Sequence, residues 1–404
     1  MKKIFLIVSA MIAANTIMAQ VVTSEDSLAM GLTKSNSLTV ISGYGEAAYR
    51  NDLKLGTANA NLTRGVVFIG HKFNDKISLF SEIEIEDAKV GDGLGEVSFE
   101  QAFVKFGLTR DVYVIAGLFV PRIGITNENH LPTTFNSVFR TRLETVLIPS
   151  TWREIGVGLY GSIRSVQGLN YSLGLVNGLN AAGFNFKEGT GIREGRFEGR
   201  NATASNLAVT GALLYYIGDF RIQVSGYYGG TVGLPKHSAD SLGLNSGSFG
   251  TPVAMAEANI QYNHKGFYAR AMDANIFIKN ADKLNIAYAN NAPEQMGGFY
   301  VEAGYNLLET TTYKQKPLTV FARYENIDLN AKIPTDAINN DALKQQYVFV
   351  GISYQPVKGV ILKADYEINH TGNPNPALII NPNPNAPAYL TNKNFINLGL
   401  GYSF

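Results

Sequence analysis

Asn394-Phe395-Ile396-Asn397-Leu398-Gly399-Leu400-Gly401-Tyr402-Ser403-Phe404 closes the sequence with a period of two. Ile396, Leu398, Leu400, Tyr402 and Phe404 share one face, while Asn397, Gly399, Gly401 and Ser403 share the other. That alternation belongs to a β-strand standing between an apolar medium and a polar one. The pattern recurs upstream. Ile77, Leu79, Ile83 and Ile85 alternate with Ser78, Glu82, Glu84 and Glu86. Phe220, Ile222 and Val224 alternate with Arg221, Gln223 and Ser225; Leu318, Val320, Ala322 and Tyr324 alternate with Thr319, Arg323 and Glu325. Val360, Leu362, Ala364, Tyr366 and Ile368 alternate with Lys363, Asp365 and Glu367.

About 16 such segments are predicted, at 37–50, 60–73, 76–87, 96–108, 111–120, 155–163, 168–177, 204–216, 219–229, 253–264, 266–277, 295–307, 317–327, 345–355, 359–369 and 392–404. Their connections alternate in length. Asn74-Asp75, Thr109-Arg110, Gly218 and Lys265 are short; 51–59, 121–154, 178–203, 230–252, 278–294, 328–344 and 370–391 are long. This parity predicts an all-β, antiparallel up-and-down transmembrane barrel with short periplasmic turns and long external loops. A Greek-key sandwich has no such parity. Lys or Arg facing mid-bilayer lipid costs roughly 2–4 kcal/mol. The charged faces are therefore expected to line a wet lumen: Glu82, Glu84, Glu86, Arg221, Arg323, Glu325, Lys363, Asp365 and Glu367. Arg270 and Asp273 have opposite parity, which predicts a bulge or strand end near them. Phe73, Phe106, Phe220, Phe267, Tyr354 and Phe404 fall near periplasmic strand ends, where an aromatic girdle is expected.

Composition agrees with an exported barrel. The chain holds 41 Gly, 21 Tyr, 22 Phe, one Trp and no Cys, with 17% charged residues and a net charge of +1. The near-neutral balance gives no reason to expect a nucleic-acid partner. The lack of Cys excludes disulfides, thiol catalysis and a lipoprotein anchor. Met1-Lys2-Lys3, the apolar run Ile4–Ala14 and Ile17-Met18-Ala19 read as a signal peptide over 1–19, cleaved near Ala19. A short periplasmic segment over 20–36 and the barrel over 37–404 complete the expected organisation, located in the bacterial outer membrane.

Residues 121–154 form the longest connection. Leu131, Phe135, Val138, Phe139, Leu143, Val146, Leu147 and Ile148 make it too apolar for an exposed loop. It is expected to fold into the barrel and form a constriction, with Arg122, His130, Arg140, Arg142, Trp152 and Arg153 as candidate pore residues. The arginines could face anions or pin the loop through Glu128, Glu144 and Glu154. Lys187, Arg193, Arg196 and Arg200 against Glu188, Glu194 and Glu198 pose the same choice in the next long loop. His71, His130, His237, His264 and His370 show no metal spacing, and no G-x-S-x-G elbow occurs. Glu82, Glu84 and Glu86 could hold a divalent cation, though such a row is more often a solvated lumen wall paired with Arg or Lys across strands. Gly91-Asp92-Gly93-Leu94-Gly95 reads as a loop tip. The Asn-Pro repeats over 373–386 read as an exposed external loop. No enzyme, cofactor or metal is expected.

The stretch Phe80 to Gly161 resembles the phosphate-selective porin O and P group, as found among Bacteroidetes. The residues that carry this are Ser81–Glu86, Glu100-Gln101-Ala102, Ala116–Pro121, Asn127–Pro132 and Ile148–Gly158; Val176–Leu179 and Gly191–Arg196 extend it to about residue 200. The resemblance implies a 16-strand barrel, often a homotrimer, passing small hydrophilic solutes or ions, with anions such as phosphate among the candidates. Outer-membrane lipid and the barrel-assembly machinery would be its partners, the latter reading the terminal Phe404. A plugged barrel serving as an adhesin or structural anchor is the alternative.

Overall fold

The computed structural model describes residues 38–89, 95–187, 189–378 and 389–404. The expected signal peptide and periplasmic segment, Gly91–Leu94, Glu188 and most of the Asn-Pro repeats lie outside these.

Sixteen strands follow one another: β1 (Thr39–Asp52), β2 (Thr57–Lys72), β3 (Ile77–Glu86), β4 (Val97–Gly107), β5 (Val112–Phe119), β6 (Glu154–Ser162), β7 (Leu169–Asn177), β8 (Leu207–Ile217), β9 (Phe220–Gly229), β10 (Val253–His264), β11 (Phe267–Ile278), β12 (Gln295–Asn306), β13 (Leu318–Lys332), β14 (Lys344–Val357), β15 (Val360–Thr371) and β16 (Asn392–Ser403). Each pairs antiparallel with its sequence neighbours, and β1 pairs with β16, so the sheet closes. Closure runs from Tyr44 opposite Ser403 to Asp52 opposite Phe395. Phe404 extends it: its N–H donates to the Gly43 carbonyl at 2.9 Å and its carbonyl accepts from the Gly43 N–H at 3.2 Å. A closed sheet leaves no unpaired edge, which is what an antiparallel sheet in lipid requires.

The expected faces are the observed ones. Val67, Leu173, Leu213, Val224, Val301, Val350 and Leu398 are exposed on the outside, while their alternate neighbours point inward. Phe73, Phe106, Phe220, Phe267 and Phe404 are exposed at the end of the barrel that carries the short turns. Tyr262 bridges two of them, with ring centroids 4.8 Å from Phe220 and 6.1 Å from Phe267.

Three sequence expectations change. The connection expected over 51–59 is a four-residue turn between Asp52 and Thr57, because the Asp52 carboxylate accepts the Lys54 and Leu55 N–H groups at 2.8 and 3.0 Å and Gly56 takes φ +66°. β13 continues to Lys332, five residues past its expected end, since β12 and β14 both reach far enough to pair with Asp328. No bulge interrupts β11. Its register with β10 and β12 is continuous; Arg270 points in, and Asp273 points out, where Asn275 Nδ2 donates to it at 2.8 Å. Bulges occur elsewhere. Thr63 is the extra residue where Glu46 faces Arg64 and Ala47 faces Leu62. Glu100 is the extra residue where Glu82 faces Gln101 and Ile83 faces Phe99.

Candidate functional site

The connection from β5 to β6 folds into the barrel and touches the wall on many sides. Its backbone is fastened by wall carboxylates, as expected where polar groups are taken out of water. The Leu143 N–H donates to Glu325 at 2.8 Å, the Val138 N–H to Asp365 at 2.6 Å and the Gly124 N–H to Glu257 at 3.3 Å. Gln223 on β9 donates to the Gly124 carbonyl at 3.0 Å, Ser353 on β14 to Asn136 at 2.6 Å, and Thr151 in the loop to Glu100 on β4 at 2.7 Å. Glu144 folds the loop on itself. It is fully buried and accepts from Ile125 N, Thr126 N, Thr126 Oγ1, Thr141 Oγ1 and the wall hydroxyl of Tyr300.

Beneath the loop runs a chain of buried charges. Arg270 donates to Glu302 Oε1 at 2.6 Å; Arg323 reaches Glu302 Oε2 at 3.2 Å, Glu325 at 2.9 Å and Ser137 Oγ of the loop at 2.6 Å. The Arg323 guanidinium also lies 4.2 Å from the centre of the Phe349 ring. Lys363 is buried with its ammonium 3.5 Å from the centre of Phe135, an apolar loop side chain.

The six loop residues singled out by sequence separate into two groups. Arg122, His130 and Trp152 are packed away. Arg122 Nε donates to both Glu128 oxygens at 2.9 and 3.0 Å. Trp152 packs against Tyr227 with centroids 4.7 Å apart and the rings tilted by 46°, and its Nε1 donates to Glu154 at 2.8 Å. His130 Nδ1 lies 3.1 Å from the Asn127 carbonyl. Burial works against a charged His130, yet the neighbouring Glu100 carboxylate outweighs it and raises the imidazole pKa.

Arg140, Arg142 and Arg153 border internal cavities, with Arg140 and Arg153 otherwise buried. A cavity of about 500 Å³ is lined by Arg64, Arg140, Arg153, Arg193, Arg196 and Arg200, with Glu86, Glu96, Glu194 and Glu198. A second, of about 280 Å³, is lined by Arg64, Arg140, Arg142 and Arg193 with Glu46. Several of these guanidinium groups have fixed partners. Arg153 reaches Glu198 at 3.1 Å, and Arg64 reaches Glu46 and Glu84 at 2.9 and 2.7 Å. Arg196 Nη1 donates to the Pro149 and Thr151 carbonyls at 2.7 and 3.0 Å. Burial lowers its pKa to about 10, which leaves it charged at neutral pH. Arg140 makes no ion pair within 4 Å among the described residues; its Nη2 donates only to the His130 carbonyl at 3.3 Å, and burial followed by repulsion from Arg64 lowers its pKa.

Of the strand residues expected to line the lumen, Glu82, Glu84, Glu86, Arg221, Arg323, Glu325, Lys363, Asp365 and Glu367 all point inward. Among them only Glu86 borders the larger cavity; Glu82, Glu84, Arg323, Glu325, Lys363, Asp365 and Glu367 are buried, as the loop packs over the wall. Sequence reasoning missed Arg64 and Glu46, whose strands mix small and charged residues, and the Arg270–Glu302 pair.

A closed ring of 16 antiparallel strands with one long loop folded inside defines a porin-type β-barrel. Solved structures share this fold: OmpF of Salmonella typhi in complex with daunomycin (TM-score 0.57, 12% identity, 91% of this chain and 97% of that one) and an anion-selective porin of Comamonas acidovorans (TM-score 0.54, 10% identity, 91% and 99%). In-vitro-folded OmpT of Vibrio cholerae, in a trimer form, is similar too (TM-score 0.51, 12% identity, 91% and 99%). No family model matches the chain. The chain belongs to one family with an uncharacterized protein of Aquifex aeolicus (strain VF5), with 30% identity over 338 residues, 81% of this chain and 74% of that protein.

Proposed function

We propose that this protein is an outer-membrane porin, a passive channel for small hydrophilic solutes with a preference for anions. The observation that carries this reading is the cavity beside the folded-in loop, where six arginines stand against four glutamates, a net charge of +2. Half of these charges, Arg64, Arg153, Arg196, Glu96 and Glu198, are held in ion pairs, and Arg140 supplies a guanidinium with no ion pair within 4 Å among the described residues. A low-dielectric wall around such a field raises local anion concentration. Inorganic phosphate, the solute class of the group that Phe80–Gly161 resembles, is one candidate, and guanidinium forks match its oxygens. The mechanism is diffusion past Arg140, Arg142 and Arg153, with no catalytic step. The reading includes a homotrimer, as in the trimer form of the similar Vibrio cholerae protein, export through the segment ending near Ala19, and delivery of Phe404 to the assembly machinery.

A plugged barrel acting as adhesin or anchor is the second reading. It is favoured by the burial of Glu82, Glu84, Glu325, Asp365 and Glu367 under the loop. Liposome swelling separates the two. Folded protein should admit a small sugar and, faster, a carboxylated sugar of equal size. Equal exclusion of both would favour the plug.

A further inference from the structure

We infer that Glu82, Glu100 and His130 form a site for one divalent transition-metal ion of the zinc class, which rivets the inner loop to β3 and β4. The backbone builds this site deliberately. Without the bulge, alternation would turn either Glu100 or Gln101 outward. The extra residue lets both point inward opposite Glu82, and both are buried. His130 arrives from the loop. Its Nδ1 is engaged by the Asn127 carbonyl, which leaves Nε2 to supply the lone pair. That Nε2 is buried with no hydrogen-bond partner, 3.5 Å from Glu100 Oε2 and 4.0 Å from Glu82 Oε2.

The three ligand atoms lie within 4.8 Å of one another. Bonds of about 2.0–2.2 Å to a tetrahedral zinc place its ligand atoms roughly 3.3–3.5 Å apart, so His130 Nε2 and Glu100 Oε2, 3.5 Å apart, already match, and Glu82 would draw in on binding. Each carboxylate is already oriented by another donor: Tyr44 Oη gives to Glu100 Oε2 at 2.6 Å, Thr151 to Glu100 Oε1 at 2.7 Å and Gln101 to Glu82 Oε2 at 2.9 Å. These are the outer contacts that hold metal ligands in place. An imidazole nitrogen with two carboxylates favours zinc-like ions over magnesium or calcium, which prefer all-oxygen shells.

The test uses the full chain, folded in detergent and stripped with EDTA. Zinc chloride is titrated by calorimetry, and bound zinc is counted by elemental analysis after gel filtration. One zinc per chain is expected. His130→Gln and Glu82→Gln should each weaken binding more than about 100-fold, beyond the loss typical of outer-shell changes. Heat-modifiable migration verifies folding; if His130→Gln does not fold, Glu82→Gln decides. No zinc on the folded wild-type chain, or wild-type affinity in the folded variants, overturns the site. Zinc stoichiometry does not depend on conduction, so this inference and the channel reading fail separately.

Discussion

Replacing Arg323 with Met probes how the inner loop is held. Arg323 is fully buried, joins Glu302 to Glu325 and donates to Ser137 of the loop. Methionine keeps an apolar stem against Phe349 and removes only the charge and donors. Glu302 retains Arg270, whereas Glu325 loses its arginine and is left with the Leu143 N–H. Removing one partner of a buried pair costs about 3–5 kcal/mol. A double change, Arg323→Met with Glu325→Leu, removes both charges and should recover part of this. It strands the Leu143 N–H, worth about 1–3 kcal/mol, so the double variant should sit about 1–3 kcal/mol below wild type. Urea unfolding in lipid vesicles measures both values. The only tryptophan, Trp152, lies in this loop against Tyr227 and reports its release. A single-variant loss below about 1 kcal/mol, the range of exposed pairs, would refute the buried network as the loop's fastening.

Other outcomes follow from the same geometry. Arg140→Ala with Arg142→Ala should move the reversal potential under a KCl gradient toward cations; an unchanged potential would assign both arginines to packing. Trp152→Phe removes the donor to Glu154 and should cost about 1–3 kcal/mol by urea titration. Gly117→Ala should cost about 1–3 kcal/mol or more, since φ is +138° and the new Cβ would stand 2.3 Å from the Ala102 carbonyl oxygen; wild-type stability would show that β5 can shift away from β4.

The barrel was readable because each wall residue answers to one of two media, and period-two alternation records that choice. All 16 strands, their order and the inward set from Glu82 to Glu367 came from this signal. Glu100 shows where it stops. A bulge puts two neighbours on one face, and nothing in Phe99-Glu100-Gln101 announces the slip, because the partner strand fixes it. The 51–59 turn was hidden for a related reason: polar strand ends resemble loop composition, and only the Asp52 hydrogen bonds shorten the connection. Arg122 and Arg140 are the same residue type in one loop, yet one is clamped on Glu128 and the other borders a cavity. Their difference arises from long-range packing that local sequence does not carry.

Single-channel recording of the folded protein in a planar bilayer under a KCl gradient tests the central claim most directly. Stable conductance steps with an anion-favouring reversal potential are predicted. No steps from protein verified as a folded barrel would contradict the channel, and cation-favouring steps would contradict the arginine-lined path.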